Sequence, residues 1–338
     1  MDTLLEVKGL KVYFYTDSVV PAVDGVSFDV NRGETLCIVG ESGCGKSVTS
    51  LSVMQLVATP PGRYVAGDIL FEGTSLLKRS KREMSAIRGK EIAMIFQEPM
   101  TALNPVHTIG AQIGEALAIH EDLTRKQRDE KIIEMLQMVG VPDPERCARS
   151  YPHQLSGGMR QRVMIAMAFS CRPKLLIADE PTTALDVTIQ AQILDIIKRL
   201  KEETGMTVMF ITHDLGVVAE IASRVIVMYS GRIVEEAPCA QLFERPLHPY
   251  TRALLNCIPR MDQKRDTLYA VGGQVPSPAN FPAGCRFHPR CEHCMDICRE
   301  QAPELIRIGN RQVACHLCGE MRETAADGKD EEAPNHET

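Results

Sequence analysis

Gly40-Glu41-Ser42-Gly43-Cys44-Gly45-Lys46-Ser47 is the stretch around which the rest of this chain is organised. An apolar run, Thr35-Leu36-Cys37-Ile38-Val39, precedes it and reads as a buried strand; Val48-Thr49-Ser50-Leu51-Ser52-Val53-Met54 follows and can start a helix. Strand, glycine-rich loop and helix in that order make G-x-x-x-x-G-K-[ST] a phosphate-binding loop. The glycines let backbone N–H groups turn inward around phosphate oxygens, and the helix start adds positive potential. Lys46 is then placed to reach β- and γ-phosphates, and the Ser47 hydroxyl to ligate Mg²⁺. An ordinary strand-to-helix turn requires no Gly-Lys-Ser at that offset.

The chain has 338 residues, which suggests about two domains. Its 44% apolar and 24% charged residues are ordinary for a soluble globular protein. A net charge of −6 implies no basic face, so a nucleic-acid partner is not expected. Met1–Glu6 lacks the basic start and apolar core of a signal peptide, and the longest uncharged apolar run, Val163 to Cys171, is far shorter than a membrane span. These features predict a cytoplasmic protein whose membrane role, if any, comes through partners. Twelve cysteines in a reducing compartment are not expected to form disulfides. Those scattered from Cys37 to Cys257 sit among apolar or loop neighbours and are expected to be inert, except that Cys44 inside the loop is expected to react with thiol reagents and to be protected by ATP. The remainder crowd between Cys285 and Cys318.

Residues 4–39 alternate apolar and polar, with Gly25 and Asn31-Arg32-Gly33 as turns, the pattern of short antiparallel strands. Tyr13, Phe14 and Tyr15 are expected in a loop between two of them; one ring can stack on adenine, Phe14 by position, or pack in the core. Glu91–Gln97 reads as a strand with a polar end. Ile109–Ile119 and Gln127–Met138 carry helical spacing, broken at Val141-Pro142-Asp143-Pro144, and predict a helical insertion. It closes at Leu155-Ser156-Gly157-Gly158-Met159-Arg160-Gln161, a second anion-ready helix start with Ser156 as the cap. Lys174 to Glu180 reads as a buried parallel strand ending in two acids. Asp179 is placed to hold Mg²⁺, directly or through water, and Glu180 to polarise the water that attacks a γ-phosphate. Thr207–Thr212 is a further buried strand, with His213 at its end.

The loop 40–47, Gln97, Leu155-Ser156-Gly157-Gly158-Met159, Asp179-Glu180 and His213, in that order, resemble the ATP-binding subunit of an ABC transporter over roughly residues 4–258. The resemblance implies an α/β protein: a RecA-like P-loop ATPase core (1–98 and 160–258) with an antiparallel β subdomain and an inserted helical subdomain (99–159), together forming an ATPase domain over 1–258. It implies ATP sandwiched between two such domains, the loop of one facing Ser156, Gly157 and Gly158 of the other. The ATP contacts it implies run from Phe14 through Gly40, Ser42, Gly43, Cys44, Gly45, Lys46, Ser47 and Val48 to Gln97, Asp179 and His213. Mg²⁺ would be held by Ser47, Gln97 and Asp179, and the catalytic groups would be Glu180, His213 and Gln97. Asp186 would link the two sites across the dimer.

Val39-Gly40-Glu41-Ser42-Gly43, Phe96–Pro105, Tyr151-Pro152-His153-Gln154 and Leu247–Leu255 look like the dipeptide/oligopeptide importer ATPases, a branch that also serves nickel and glutathione importers. The partners it implies are two transmembrane permease subunits, a second homologous ATPase subunit and, indirectly, an extracytoplasmic substrate-binding protein, with this chain at the cytoplasmic face of the inner membrane. A soluble ABC ATPase acting on DNA or ribosomes typically has two cassettes or a long coiled-coil insertion, and this chain has neither. A slow, redox-gated regulatory subunit is opposed by the filled catalytic positions.

Cys285, Cys291, Cys294, Cys298, Cys315 and Cys318 lie in a turn-rich extension, 259–320, opened by Pro276, Pro278 and Pro282. So short a segment gains little from its own core, and a metal staple is physically sensible. Cys291-x-x-Cys294 with Cys315-x-x-Cys318 has near zinc-ribbon form. The resemblance instead implies a [4Fe–4S] cluster on Cys285, Cys291, Cys298 and Cys315, and the flanking Gly284, Pro289-Arg290, Ala302-Pro303 and His316 match that pattern. Cys294 and Cys318 are the departure that keeps Zn²⁺ as the alternative. The polar, acidic tail, 321–338, is expected to be disordered.

Overall fold

The computed structural model describes residues 2–97, 102–183, 186–257 and 271–319. Two strands open it, β1 (Thr3–Tyr15) and β2 (Val19–Asn31), paired antiparallel from Thr3↔Asn31 to Tyr15↔Val19. β3 (Thr35–Val39), buried along its whole length, leaves this pair for a second sheet and leads into α1 (Lys46–Val53). β4 (Gly62–Phe71) and β5 (Thr74–Ser75) return to β1 and complete a four-stranded antiparallel sheet, β2-β1-β4-β5.

After α2 (Lys81–Ile87) and β6 (Ile92–Ile95) the chain is helical: α3 (Ile109–His120), α4 (Arg125–Met138), α5 (Pro144–Arg149) and α6 (Gly157–Phe169). Their starts are written in the sequence. Ser80, Thr108, Thr124, Asp143 and Ser156 each accept a first-turn backbone N–H and so satisfy a donor that the helix leaves unpaired. β7 (Leu175–Asp179), α7 (Val187–Thr204), β8 (Thr207–Thr212), α8 (Leu215–Ile221) and β9 (Arg224–Tyr229) then alternate, and β10 (Arg232–Pro238) turns back on β9. α9 (Cys239–Glu244), α10 (Pro249–Asn256), the short α11 (Asp296–Glu300) and a hairpin of β11 (Ile306–Ile308) with β12 (Arg311–Val313) finish the described chain.

The larger sheet has eight strands in the order β11-β12-β10-β9-β3-β8-β7-β6, of which β9, β3, β8, β7 and β6 run parallel. Its parallel part is buried on both faces, and this is why β3, β7 and β8 read as unbroken apolar runs rather than alternating ones. Along β3, Cys37 and Val39 enter a core shared with α3, α4, α6, α7 and α8. Leu36 and Ile38 enter a second core shared with the antiparallel sheet. With β3 and β8 side by side and β7 and β6 beyond them, the carboxyl ends of four parallel strands meet at one edge, where open α/β sheets hold their ligands.

The structure corrects two expectations. Tyr13, Phe14 and Tyr15 are not loop residues; they close β1, paired with Pro21, Val20 and Val19 on one side, while Tyr13 and Phe14 also pair with Arg63 and Gly62 of β4. The cysteine-bearing segment, expected to be irregular, also contributes strand structure to the main sheet. β12 adds to the main sheet through Glu235↔Val313 and Glu236↔Gln312, and Phe287 is buried in the first core. Glu98–Thr101, Ala184, Leu185 and the expected disordered tail lie outside the described residues.

Candidate functional site

At the end of β3 the chain turns sharply. Gly43 and Gly45 hold φ of +77° and +98°, and Gly45 caps α1. A Cβ on Gly45 would fall inside the contact shell of the Ala22 carbonyl oxygen, so the loop lies against β2 with no room for a side chain. α1 begins at Lys46, two residues earlier than the sequence suggests, and this brings Lys46 and Ser47 into its first turn. Lys46 is buried; its Nζ donates to the carbonyls of Gly40 (2.7 Å) and Glu41 (3.1 Å). An ammonium held by neutral carbonyls, with the loop curled around it, is a cation waiting for an anion.

Ser47 Oγ donates to Asp179 Oδ1 at 3.0 Å, and Ser50 Oγ to Asp179 Oδ2 at 3.4 Å. Asp179 ends β7 and is buried. Burial pushes its carboxyl above the ordinary range, the Glu180 charge adds to this, and the serine hydroxyls and Lys46 oppose it. A divalent cation beside Asp179 and Ser47 would offset that burial, so hydroxyl, carboxylate and adjacent phosphate loop fit Mg²⁺.

Glu180 has a left-handed backbone, φ +47°, with its N–H on the Ile211 carbonyl of β8. That turn points the carboxylate along the edge of the sheet. Its Oε2 accepts from Gln97 Nε2 at 3.2 Å and Thr183 Oγ1 at 2.9 Å, and lies 3.4 Å from His213 Nδ1. Gln97, Glu180 and His213, from the ends of β6, β7 and β8, are thus brought together. His213 is exposed, and Asp214 rather than His213 caps α8.

Ser156 caps α6 by accepting from Met159 N at 3.4 Å, with Gly157 exposed and open to space. α6 packs on β6, three strand spacings from β3, about 14 Å at ~4.8 Å per spacing. Asp186 caps α7. Phe14 is half-buried against the second core, beside Gly62, whereas Tyr15 is exposed under the Arg63 guanidinium. Cys44 is fully buried and burial pushes its thiol up, which contradicts the expected reactivity with thiol reagents.

Three residues of this site escape sequence reasoning. Glu41 N donates to the Tyr250 hydroxyl at 2.9 Å, and the Glu41 carboxylate receives both ends of the Arg290 guanidinium, at 2.6 and 2.9 Å. No local pattern announces a pair so far apart in the chain.

Arg290 belongs to the cysteine segment. There, Cys285, Cys291, Cys298 and Cys315 line one small void with His288, His293 and His316; Cys294 and Cys318 are not among its lining residues. Burial pushes the Cys285 thiol up to about 11. A hydrogen bond between Cys315 and Cys318 holds Cys318 below and Cys315 above the ordinary thiol range. Among the described residues no three His, Cys, Asp or Glu side chains are gathered closely enough to hold a metal ion. Neither the zinc-ribbon set nor the four-cysteine cluster set is gathered into metal-binding geometry among the described residues.

Residues 23–183 match the family model described as ABC transporter, and residues 234–298 match that of the oligopeptide/dipeptide transporter C-terminal region. The chain is 54% identical over 319 residues to the oligopeptide transport ATP-binding protein AppD of Bacillus subtilis (strain 168), spanning 94% of this chain and 97% of that one. It is 52% identical to the dipeptide transport ATP-binding protein DppD of Haemophilus influenzae, spanning 93% and 95%. Among solved structures, a dimeric post-hydrolysis state of the ATP-binding cassette MJ0796 bound to ADP and Pi superposes with a TM-score of 0.63 at 28% identity, covering 70% of this chain and 99% of that one.

Proposed function

This chain belongs to the ATP-binding subunits of ABC transporters, in the branch that serves oligopeptide and dipeptide import, and from that premise we propose how its residues do the work. It binds and hydrolyses ATP to power peptide uptake through membrane permease subunits. Gly40 to Val48 surround the phosphates, and Lys46 exchanges the carbonyls of Gly40 and Glu41 for β- and γ-phosphate oxygens. Ser47 and Asp179, already hydrogen-bonded to each other, would hold Mg²⁺, with Gln97 nearby through Glu180. Bound there, Mg²⁺ neutralises phosphate charge. Glu180, its carboxylate oriented by Gln97 and Thr183, takes the proton of the attacking water. His213 steadies the γ-phosphate from the end of β8. Adenine falls to the Tyr13–Tyr15 strand end, where Phe14 is half-buried and Tyr15 is the exposed ring.

The ATPase domain spans 1–258, with core 1–98 and 160–258, helical subdomain 99–159 and extension 259–320. A composite site across a pair of ATPase subunits follows from α6. Its capped start leaves Gly157 exposed and open, with Gly158 against Ile189 of α7, and an anion-ready helix start of this kind can face the nucleotide of a second subunit. The facing subunit is a homologous ATPase; two permeases hold the pair at the cytoplasmic face of the inner membrane, and an extracytoplasmic binding protein delivers the peptide. Among the described residues no helix is long and apolar enough to cross a membrane.

The cysteine segment takes a [4Fe–4S] cluster on Cys285, Cys291, Cys298 and Cys315. Each thiolate of such a set binds its own iron, so the sulfurs stand further apart than the ligands of one ion. What supports that set over zinc is that these four thiols, and not Cys294 or Cys318, line a common void. Iron, zinc and sulfide analysis of anaerobically purified protein tests it; zinc without iron or sulfide overturns it.

The observation that carries the ATPase reading is the meeting of Lys46, Ser47, Asp179, Glu180, Gln97 and His213 at four neighbouring strand ends. Lys46→Ala in the assembled transporter abolishes most ATP turnover and uptake while leaving assembly intact. Wild-type kinetics would contradict it.

A further inference from the structure

Two strings that are 249 positions apart meet in one ion pair: Gly40-Glu41-Ser42 of the phosphate loop and Pro289-Arg290-Cys291 of the cysteine segment. The Arg290 side chain is 3% exposed and its planar fork is fully used. Both terminal nitrogens grip the Glu41 carboxylate, Nε donates to the Gly272 carbonyl at 2.8 Å, and Nη2 also reaches the Val271 carbonyl at 3.2 Å. A bidentate guanidinium–carboxylate pair fixes orientation as well as distance. Tyr250, packed at 5.3 Å against Phe287 of the same segment, takes the Glu41 backbone N–H, so that amide is not free for phosphate. The Glu41 carbonyl in turn receives Lys46 Nζ.

We propose that Arg290, with Tyr250, is a positioning residue of the nucleotide site: the cysteine segment sets the shape of the phosphate loop through Glu41, and ATP affinity depends on that segment being ordered. Arg290 immediately precedes Cys291, which lines the thiol void, so disorder there releases the fork that holds Glu41. Coupling between two sites is reciprocal. ATP therefore orders residues 285–291 as those residues hold the loop. This rests on the loop being the ATP site, and the test separates the two.

Equilibrium binding of a fluorescent ATP analogue is measured on the full-length chain carrying Glu41→Ala, Arg290→Met, Arg290→Lys, the double substitution of Glu41→Ala with Arg290→Met, or Lys46→Ala. Each of the first two weakens binding by about 5-fold or more, within the usual range of inter-site coupling. The double substitution weakens it no further than the stronger single one, and Arg290→Lys, which makes one bond of the two, recovers part of the loss. Hydrogen exchange across 285–291 slows on adding the analogue to the unmodified chain and not to the Glu41→Ala variant, a response that a purely structural Arg290 would not give. Should Lys46→Ala lose affinity while Glu41→Ala and Arg290→Met keep it, or should the two losses multiply in the double substitution, the positioning role fails. Should Lys46→Ala also bind normally, the ATP reading of the loop fails with it.

Discussion

Asp24 is a buried carboxylate whose charge holds the folded state together. It lies on β2 with its side chain 7% exposed and ties together three parts of the chain. Oδ1 accepts from Tyr13 on β1 at 2.9 Å; Oδ2 accepts from Arg232 on β10 at 2.7 Å and from Arg286 of the cysteine segment at 2.6 Å. Burial alone would raise its pKa, but the hydrogen bonds from Arg232 and Tyr13 and the charges of Arg232 and Arg286 outweigh this, and the carboxyl falls from 3.8 to about 2. At ~1.4 kcal/mol per unit, that difference is worth about 2 kcal/mol to the folded state. The pKa is depressed on folding, so this stability is fully present above pH 3.8 and is lost as pH falls through about 2. Asp24→Asn removes it and leaves two guanidinium groups short of an acceptor. Urea unfolding at pH 7 should therefore show a loss of about 2 kcal/mol or more. The gap between the two proteins should hold from pH 7 to pH 5 and shrink to about half by pH 3. Equal stability at pH 7, or a gap unchanged at pH 3, would mean that Asp24 does not bind the three segments as a folded-state anion.

Glu180→Gln keeps ATP binding and lowers single-turnover hydrolysis by about 10²–10⁴-fold, the usual contribution of a positioned base; unchanged hydrolysis would remove Glu180 from the chemistry. Gly43→Ala places a Cβ in open space at positive φ and should cost about 1–2 kcal/mol in urea unfolding. Gly45→Ala adds a collision with the Ala22 backbone and should cost at least about 1 kcal/mol more; equal costs would mean that the loop does not lie against β2. Cys44 should be inert to an aromatic disulfide reagent in the native protein, with or without ATP, because its buried thiol is pushed up. Rapid labelling slowed by ATP would show that this thiol is open to solvent.

The nucleotide edge was legible in the sequence because each strand that builds it is buried on both faces. β3, β7 and β8 therefore appear as short apolar runs leading to their polar groups: Lys46 and Ser47 across the glycine loop, Asp179 and Glu180 at the end of β7, His213 directly after β8. Ser156 was legible as a cap for the same local reason. What stayed hidden is non-local or too short to carry a period. Tyr13–Tyr15 look like a loop because aromatic neighbours mask the alternation, yet β4 pairs with Tyr13 and Phe14 from the other side and keeps them in the strand. β11 and β12 have three residues each, below any useful pattern, so the attachment of the cysteine segment to the main sheet could not be foreseen. The start of α1 at Lys46 depends on a left-handed Gly45 rather than on a polar cap. Arg290 and Glu41 each sit in a recognisable string, but nothing in either names the other.

In the proposed cycle two subunits close over ATP, with the loop 40–47 on one side and a serine–glycine turn on the other. The most direct test is a cryo-EM map of the full assembly carrying Glu180→Gln, trapped with Mg²⁺ and ATP. Density for the γ-phosphate is expected between Lys46 and the serine–glycine turn of the facing subunit, with Mg²⁺ at Ser47 and Asp179. Nucleotide touching one subunit alone, with that turn remote from it, would contradict it.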